Sequence, residues 1–436
     1  MNMRILVASI AILPAIFGAY AASADTLEEA LVAAHANNPN LEEARLALRS
    51  AREDRAQAVA AYLPSLGISG SAGVQTVETD STSIFGPTTT QSDLEPTTAN
   101  AQVTQQVFTG FRRSGQSRLA RANIDAASEG LRGRAQDVLL ATVNVYISVL
   151  RDTEIVRLRE EHIRDLSTLL AGTRRRLDVG EVSRTDVAQA QTRLAGARAA
   201  LARSQADLEN SQARYMAIVG RAPEGLLPVS ASPQTPHTLE EAVRQADDRH
   251  PDLGQAESQE RAARAQVTIE RSALLPQISV VGRADENRDF STSESRRESS
   301  SAVAQFSMPL FEGGYAWSRT RQSRLNVGRA EARTEAQRRE VFANVNAAWN
   351  NLIAAREILT AANEQVEASA IAVDGAQRER GYGLRSTLDV LDAQEEARNA
   401  LIGRARANAD ATIASYSLLA ASGALTLDAA IGRAAD

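Results

Sequence analysis

The sequence contains two copies of one long unit, and this duplication limits the possible folds more than any other feature. The motif around Pro39, Asn-Asn-Pro-Asn-Leu, corresponds to Arg-His-Pro-Asp-Leu around Pro251, 212 residues later. Leu63-Pro64 corresponds to Leu275-Pro276 with the same shift. A repeat of this length indicates that each copy forms the same series of structural elements.

A second pair of motifs is shifted by 203 residues. Phe108-Thr-Gly110 corresponds to Phe311-Glu-Gly313, and the stretch from Gly180 to Val187 corresponds to the stretch from Gly383 to Val390. The smaller shift predicts a shorter loop between the two motif sets in the second copy. The repeated unit therefore has the order helix, strand, loop, strand, long helix, turn and helix.

Strands are predicted directly after each Leu-Pro pair and again before each Phe-x-Gly motif. Apolar and polar residues alternate through Pro64–Thr76, Gln277–Val280, 101–107 and 301–310. A period of two with one apolar face is typical of a strand. Each strand has about the 9–11 residues that a tilted membrane strand needs. The intervening polar stretches, Glu78–Pro96 and Glu286–Ser299, are expected to be solvated loops.

Two very long helices follow the strands. Gln116–Arg176 contains no proline and few glycines, which predicts one helix of about 60 residues, about 90 Å long at the standard rise. A matching helix is predicted from Gly314 to Gly381. The helix behind each turn carries small and apolar residues at three- and four-residue spacing, as in a coiled coil. These residues are Val187, Ala190, Leu194, Ala197, Leu201 and Leu208, then Val390, Ala393, Ala397 and Ala400.

Composition excludes several kinds of site. The chain contains no cysteine, so disulfides, thiolate metal sites and a lipidated N-terminal cysteine are impossible. A formal charge of -6 does not favour binding of nucleic acid. The four histidines lack metal-ligand spacing, and phosphate-loop and hydrolase motifs are missing, so we expect neither cofactor nor enzymatic activity.

The first 24 residues have the pattern of a signal peptide. Arg4 precedes the apolar run Ile5–Ala19, and Ala22-Ser23-Ala24 fits the small-x-small cleavage rule. Cleavage after Ala24 would leave Asp25 at the new N-terminus; the alternative interpretation is a membrane anchor. No later segment has about 20 consecutive apolar residues, so entry into a membrane would require a β-barrel.

Four strands are too few to close a barrel in one chain. An open sheet in lipid would leave unpaired backbone groups, each costing several kcal/mol. Several chains must therefore contribute strands, and three chains would supply twelve, enough for an aqueous lumen.

The ordered, duplicated motifs resemble those of the TolC family of outer-membrane efflux proteins over essentially the whole mature chain. Gly383-Leu-Arg-Ser-Thr-Leu-Asp-Val-Leu-Asp392-Ala is especially similar. The resemblance implies an α+β membrane protein with a long α-helical coiled-coil barrel continuous with a trimeric 12-stranded transmembrane β-barrel, four strands per chain. It also implies a homotrimer in the outer-membrane lipid, with its helices in the periplasm, working with a periplasmic adaptor (membrane fusion protein) and an inner-membrane RND or ABC pump.

The resemblance also implies a gate at the turns between long helices. Arg385 matches the family's gate arginine, Thr185 and Asp186 match its partners in the first copy, and Asp389 and Asp392 match its constricting aspartates. In a trimer, these two aspartates would form two stacked carboxylate rings that favour cations. The family's gate tyrosine is replaced by Arg380. The alternative interpretation is structural: an acidic helix start, with Thr185 and either Ser386 or Thr387 as helix caps.

These observations predict five segments. They are a signal peptide (1–24), a first repeat (25–222, with a β-hairpin at 64–110 and a turn near 177–185), an equatorial linker (223–240), a second repeat (241–422, with a β-hairpin at 276–311 and a turn near 380–386) and a C-terminal equatorial segment (423–436). The expected function is a porin-like exit duct for drug efflux or type I protein secretion. The alternative is a soluble periplasmic coiled-coil adaptor or scaffold.

Overall fold

The computed structural model describes residues 25–229, 233–291 and 294–431. The described chain forms two compact units. The helical unit comprises residues up to Ala36, Ala141–Pro233 and Ile358–Ile413, and the sheet unit comprises Asn37–Leu140, Gln234–Glu357 and residues from Ala414 onward. The predicted signal peptide, 1–24, and the end of the predicted C-terminal segment, 432–436, lie outside the described residues.

The two halves of the chain have a similar order of elements. The first half contains α1 (Leu27–Asn37), α2 (Pro39–Ala60), β1 (Ser65–Ala72), β2 (Gln75–Ser83), β3 (Gly86–Leu94), β4 (Thr97–Thr109), α3 (Arg112–Asp178) and α4 (Arg184–Val219). The second half contains α5 (Leu239–Arg249), α6 (Pro251–Arg271), a 3-10 turn (Ser272–Leu274), β5 (Gln277–Arg288), β6 (Arg296–Ser307), α7 (Tyr315–Gly381), α8 (Thr387–Ala421) and α9 (Leu427–Ala430).

The duplicated Asn-Pro and His-Pro motifs are helix starts. Asn38 caps α2 by accepting a hydrogen bond from the Asn40 amide (3.0 Å), and Pro39 occupies the first helical turn. His250 caps α6 in the same way through Nδ1, which accepts from the Asp252 amide (3.2 Å). Proline suits this position because its missing N–H would have no partner inside the helix.

The long helices α3 and α7 each contain 67 residues. Helix α3 extends slightly beyond its predicted limits, whereas α7 lies within the limits predicted for it. Alanine, leucine, arginine and glutamate favour helix through most of their length. Each helix ends at a glycine turn rather than at proline. Among the described residues, no helix is both long enough and apolar enough to cross a membrane.

One antiparallel sheet joins strands from both halves in the order β1-β4-β5-β6. The hairpin partners β1 and β4 pair over eight residues, from Ser65 opposite Thr104 to Ala72 opposite Thr97. The central pair, β4 and β5, links the two copies, with Ala101 opposite Ala284. Strands β1 and β6 are the two edges of the sheet, so within the described part of the chain each leaves one row of backbone groups without a strand partner.

The two faces of this sheet differ in polarity because side chains alternate along each strand. One face carries apolar and small residues in register, including Leu66 opposite Val103, and Ile278 opposite Phe306. Large side chains on this face are exposed: Leu66, Ile68, Val103, Val280 and Phe306. The other face is polar. On it, Arg283 donates a hydrogen bond to Gln102 (2.9 Å), and Asn100 donates one to Asp285.

The predicted loop Glu78–Pro96 is wrong, because most of it forms a second hairpin. Strands β2 and β3 pair antiparallel along their whole length, from Gln75 opposite Leu94 to Ser83 opposite Gly86. The threonines of this second hairpin are β-branched and favour strands. Thr76 also donates a cross-strand hydrogen bond to Asp93 (2.7 Å). The polar composition suggested a loop, whereas cross-strand pairing makes it a hairpin.

The predicted loop Glu286–Ser299 is also too long. Strand β5 continues to Arg288 and β6 begins at Arg296, so both ends of the predicted loop are strand. Because the residues at both ends pair across the hairpin, with Glu286 opposite Glu298, their charges do not prevent strand formation.

The two strand-to-helix junctions are not equivalent. In the first copy, β4 ends at Thr109 and α3 begins at Arg112, with positive φ at Gly110 (60°) and Phe111 (69°). A Cβ atom at Gly110 would lie 2.7 Å from the Ser272 carbonyl oxygen, so glycine is required there. In the second copy, an irregular segment separates Ser307 from Tyr315. The strand predicted through 301–310 therefore ends earlier, at Ser307, and does not reach the Phe311–Gly313 motif.

Each unit has its own apolar core. In the sheet unit, Ala242, Ala246, Val341, Val345, Leu352 and Leu418 form one cluster from α5, α7 and α8. In the helical unit, Leu166, Leu170, Ala190, Leu194, Ala197 and Leu391 form another from α3, α4 and α8. The second cluster includes alanine and leucine positions of the predicted coiled-coil seam, so that seam packs between helices.

Candidate functional site

The two turns between long helices, both in the helical unit, have the same backbone structure. At the end of α3, the Gly180 amide donates to the Leu177 carbonyl (3.0 Å) and the Glu181 amide donates to the Arg176 carbonyl (2.9 Å). At the end of α7, the Gly383 and Leu384 amides donate to Arg380 (3.0 Å) and Glu379 (2.9 Å). This paired pattern is a Schellman motif. Gly180 and Gly383 have φ of 77° and 76°, the left-handed conformation that the motif requires.

Each turn leads into a helix that begins with a reciprocal capping box. Ser183 Oγ accepts from the Asp186 amide (3.2 Å), while Asp186 Oδ2 accepts from the Ser183 amide (2.8 Å) and hydroxyl (2.7 Å). Ser386 and Asp389 make the same three contacts at the start of α8. Sequence reasoning missed Ser183, although the Ser-x-x-Asp spacing indicates such a cap.

The caps show which side chains fix the helix starts. Ser386, one of the suggested caps, has this role. The suggested cap at Thr185 is wrong, because α4 is capped by Ser183 and Thr185 lies within its first turn. The acidic helix-start interpretation of Asp389 and Asp392 describes Asp389 well, since Asp389 accepts hydrogen bonds from its own helix cap. Asp186 has the same position at the start of α4.

Both capping carboxylates are stabilised in their charged form. The hydrogen bond from the Ser183 hydroxyl, followed by that from its backbone amide, lowers the pKa of Asp186. The hydroxyl and amide of Ser386 lower the pKa of Asp389 in the same order, with a smaller contribution from Arg385. Each turn therefore presents a negative charge at neutral pH.

Asp392, one helical turn beyond Asp389, pairs with Arg193 of α4. The Arg193 side chain is 30% exposed and that of Asp392 is 56% exposed, so this contact joins the surfaces of two helices. Sequence reasoning did not predict Arg193, because its spacing from Asp392 in the chain carries no signal of contact.

Arg385 is placed between the Gly383 turn and the cap of α8. Its Nε donates to Glu379 Oε2 at 2.7 Å. The contacts described within the chain do not join Arg385 to Thr185 or Asp186, so the predicted gate link stays a prediction. Arg380 contributes its backbone carbonyl to the turn.

A group of charged residues joins α3 to α8 farther along these helices. The buried His162 ring lies 3.0 Å from Glu395, and burial lowers the pKa of this histidine. Arg398 contacts Glu161 (3.3 Å) and Asp165 (2.9 Å). His162 is thus a packing residue between α3 and α8. In residues 25–229, 233–291 and 294–431, no group of three or more acidic or histidine side chains is arranged to hold a metal ion.

Comparison with known proteins links this geometry to one family. The family described as "Outer membrane efflux protein" matches residues 30–221 and 242–424. The outer membrane efflux protein BepC of Brucella suis is 32% identical, over 94% of this chain and 87% of BepC. The outer membrane protein TolC of Escherichia coli is 22% identical, over 86% of this chain and 78% of TolC.

Solved structures share the fold. The CmeC outer membrane channel of Campylobacter jejuni superposes with a TM-score of 0.80 at 16% identity, covering 91% of this chain and 85% of CmeC. At this identity the likeness concerns the fold alone, including the combination of long helices with a small antiparallel sheet.

Proposed function

Because the chain belongs to the outer membrane efflux protein family, whose relatives reside in the outer membrane, we propose that it forms the passive exit duct of a tripartite efflux or type I secretion system. The duct would carry drugs or proteins to the exterior without chemistry of its own. Its helical part would lie in the periplasm. Its partners would be a periplasmic adaptor and an inner-membrane RND or ABC pump.

The observation that carries this proposal is the four-stranded sheet. Its exposed apolar face suits lipid, and its opposite face, with Arg283 and Asp285, suits water. A single sheet of this size has two open edges, β1 and β6. In lipid, these edges need partners because unpaired backbone groups there cost several kcal/mol each.

Three chains would pair every sheet edge. If β6 of one chain pairs with β1 of the next chain, the strand directions continue to alternate around a ring. Twelve strands then close a barrel with its polar face inward. The same copies would assemble their long helices into a hollow helical barrel, as the resemblance to the TolC family implies.

The gate in this proposal comprises Thr185, Asp186, Arg380, Arg385, Asp389 and Asp392. In the trimer, Arg385 would contact Thr185 and Asp186 at the closed turns. Asp389 and Asp392 would form two carboxylate rings. The lowered pKa of Asp389 supports a charged ring, and the pairing of Asp392 with Arg193 reduces the net charge of the second ring.

Engineered disulfides test the edge pairing directly, because the natural chain contains no cysteine. Ser69→Cys on β1 would be combined in turn with Ser299→Cys, Ser301→Cys or Val303→Cys on β6, all on the polar face. Within one chain, β1 and β6 are three strand spacings apart, roughly 14 Å. A disulfide requires Cα atoms within about 7 Å. A disulfide between β1 and β6 can therefore form only between two chains. At least one of the pairs should crosslink neighbouring chains, giving a ladder of bands that ends at the trimer.

The control is Ser69→Cys with Asn100→Cys, since these residues are opposite each other on β1 and β4. This pair should form a disulfide within the monomer only. If none of the β1–β6 pairs crosslinks copies in outer-membrane preparations while the control oxidises, the barrel is wrong. Recovery of a freely soluble monomer would favour the adaptor alternative.

A further inference from the structure

Asp25, the residue after the predicted cleavage site, is almost completely buried. It is 5% exposed, and its neighbours are parts of the helical unit. The side chains of Tyr146 and Tyr215, which line the site, are fully buried. An acidic residue rarely has this degree of burial unless other groups neutralise and hydrogen-bond it.

Every polar group of Asp25 has a partner in the helical unit. The carboxylate accepts from the Tyr215 hydroxyl (2.9 Å) and from the Arg221 guanidinium. The backbone carbonyl accepts from the Leu227 amide (3.1 Å), and the Tyr146 hydroxyl lies within hydrogen-bond distance of both this carbonyl (2.8 Å) and the Leu227 carbonyl (2.7 Å). The backbone nitrogen donates to the Glu224 carbonyl (3.1 Å). These partners come from α3, α4 and the segment after α4, so the site is built from separate parts of the chain.

The phenols serve as hydrogen-bond donors. Burial, followed by the contact with Asp25, raises the pKa of Tyr215. Burial likewise raises the pKa of Tyr146 to about 12. Both hydroxyls therefore keep their protons at physiological pH and can donate to acceptors of Asp25.

We propose that these residues form a docking site for the N-terminus created by proteolytic removal of residues 1–24. Tyr146, Tyr215, Arg221 and the Glu224 carbonyl would hold Asp25 as the first residue of the mature chain. This inference rests on the proposed export of the chain. It goes beyond export by assigning a binding site for the N-terminus that cleavage creates.

The chemistry of the site suits a free α-ammonium group. Cleavage gives the Asp25 nitrogen a positive charge and three N–H donors in place of one. The Glu224 carbonyl already accepts from this nitrogen, and the Asp25 carboxylate would partly neutralise the new charge. Thr26 follows as a helix cap. It exchanges hydrogen bonds with Glu29 at 3.1 and 3.2 Å, so hydrogen bonds hold the backbone in place directly after Asp25.

The composition of the chain allows a selective test. All its basic side chains other than histidine are arginines, because the sequence contains no lysine. The α-amine is therefore the sole primary amine of the mature protein. An amine-reactive ester consequently reports on the N-terminus alone, and its rate measures how well that amine is protected.

The experiment uses the full-length precursor expressed in a Gram-negative host and the mature protein purified in detergent. The mass of the mature protein should correspond to residues 25–436. After denaturation, this protein should take up one label, on the peptide that begins at Asp25. The native protein should react at least about tenfold more slowly than the denatured one.

Three variants at the site and one control variant elsewhere separate docking from general instability. Asp25→Ala and Arg221→Gln should raise the native labelling rate towards the denatured rate. Tyr215→Phe keeps the buried ring and removes only the hydroxyl donor, so it should give a smaller increase. Glu43→Gln alters an exposed carboxylate elsewhere and should leave the rate unchanged.

A mature chain that begins at another residue would overturn the docking site, as would rapid labelling of the native protein or equal rates in Asp25→Ala and the unaltered protein. A mass that retains Met1 would instead contradict export itself. The two failures are therefore distinguishable.

Discussion

At the scale of residues, the two helix turns depend on a serine and an aspartate that stabilise each other. Ser183 with Asp186, and Ser386 with Asp389, satisfy the free amides at the two helix starts. The carboxylates matter twice, because they order the turns and supply charge to the proposed passage. Their protonation should therefore affect both properties.

Ser386→Ala should shift the pH dependence of ion selectivity to higher pH. The Ser386 hydroxyl is the largest cause of the lowered pKa of Asp389. A carboxyl with a lowered pKa keeps its charge above that pKa and loses it as pH falls through it. Removing the hydroxyl raises this pKa towards its ordinary value, so cation preference should disappear at a higher pH.

Reversal potentials of the reconstituted protein, measured in a salt gradient from neutral to acidic pH, provide the test. Thr387→Ala, at the adjacent residue, leaves the Ser386–Asp389 contacts intact and serves as the control. An identical titration for Ser386→Ala and the unaltered protein would show that Asp389 does not set the selectivity.

At the scale of elements, the sheet combines two surfaces suited to different solvents. Strand β1 shows this on adjacent residues, because Ile68 and Ser69 point to opposite faces. Ile68 is 80% exposed in the chain, which is unfavourable in water and favourable in lipid. The exposed apolar face therefore implies a covering that the isolated chain does not supply.

Ile68→Arg should prevent stable insertion, whereas Ser69→Arg should not. An arginine on the lipid face of a barrel costs about 2–4 kcal/mol at the bilayer midplane. The same residue on the lumen face remains hydrated. Quantifying the trimer in outer-membrane fractions compares the two variants at adjacent positions. Equal recovery of both would contradict the assignment of the apolar face to lipid.

At the scale of the whole molecule, the proposed duct must close and open without chemistry. In the proposed gate, the closed state would depend on contacts at the turns, and in the trimer Arg385 would contribute the decisive ones. Within the chain, this arginine donates a hydrogen bond to Glu379, one residue before Arg380. The charge of Arg385 is thus held close to the turn, where a neighbouring chain of the trimer could contact it.

Arg385→Ala should raise the single-channel conductance of the assembled protein, and Asp186→Ala should do the same. Removing either partner would weaken the link that keeps the turns together. Arg378→Ala is the matched control, because Arg378 pairs with Asp374 on its own helix (2.7 Å) and is 75% exposed. Conductance unchanged by Arg385→Ala and Asp186→Ala would exclude this link as the gate.

The sequence by itself determined the local structure. Two-residue periodicity located the strands of the four-stranded sheet, and long proline-free stretches located α3 and α7, because both signals arise from neighbouring residues. The ordered motifs also indicated the family, its outer-membrane location and its role, which the comparisons confirm. The position of Asp389 at a helix start followed from local spacing as well.

Only the tertiary structure decided which distant groups meet. It paired β4 with β5, joined Arg193 to Asp392 and enclosed Asp25 among residues roughly 120 to 200 positions away in the chain. It also turned a stretch of polar threonines into a hairpin. Such contacts depend on shape and complementary hydrogen bonding across the folded chain, and a single residue pattern does not encode the partner.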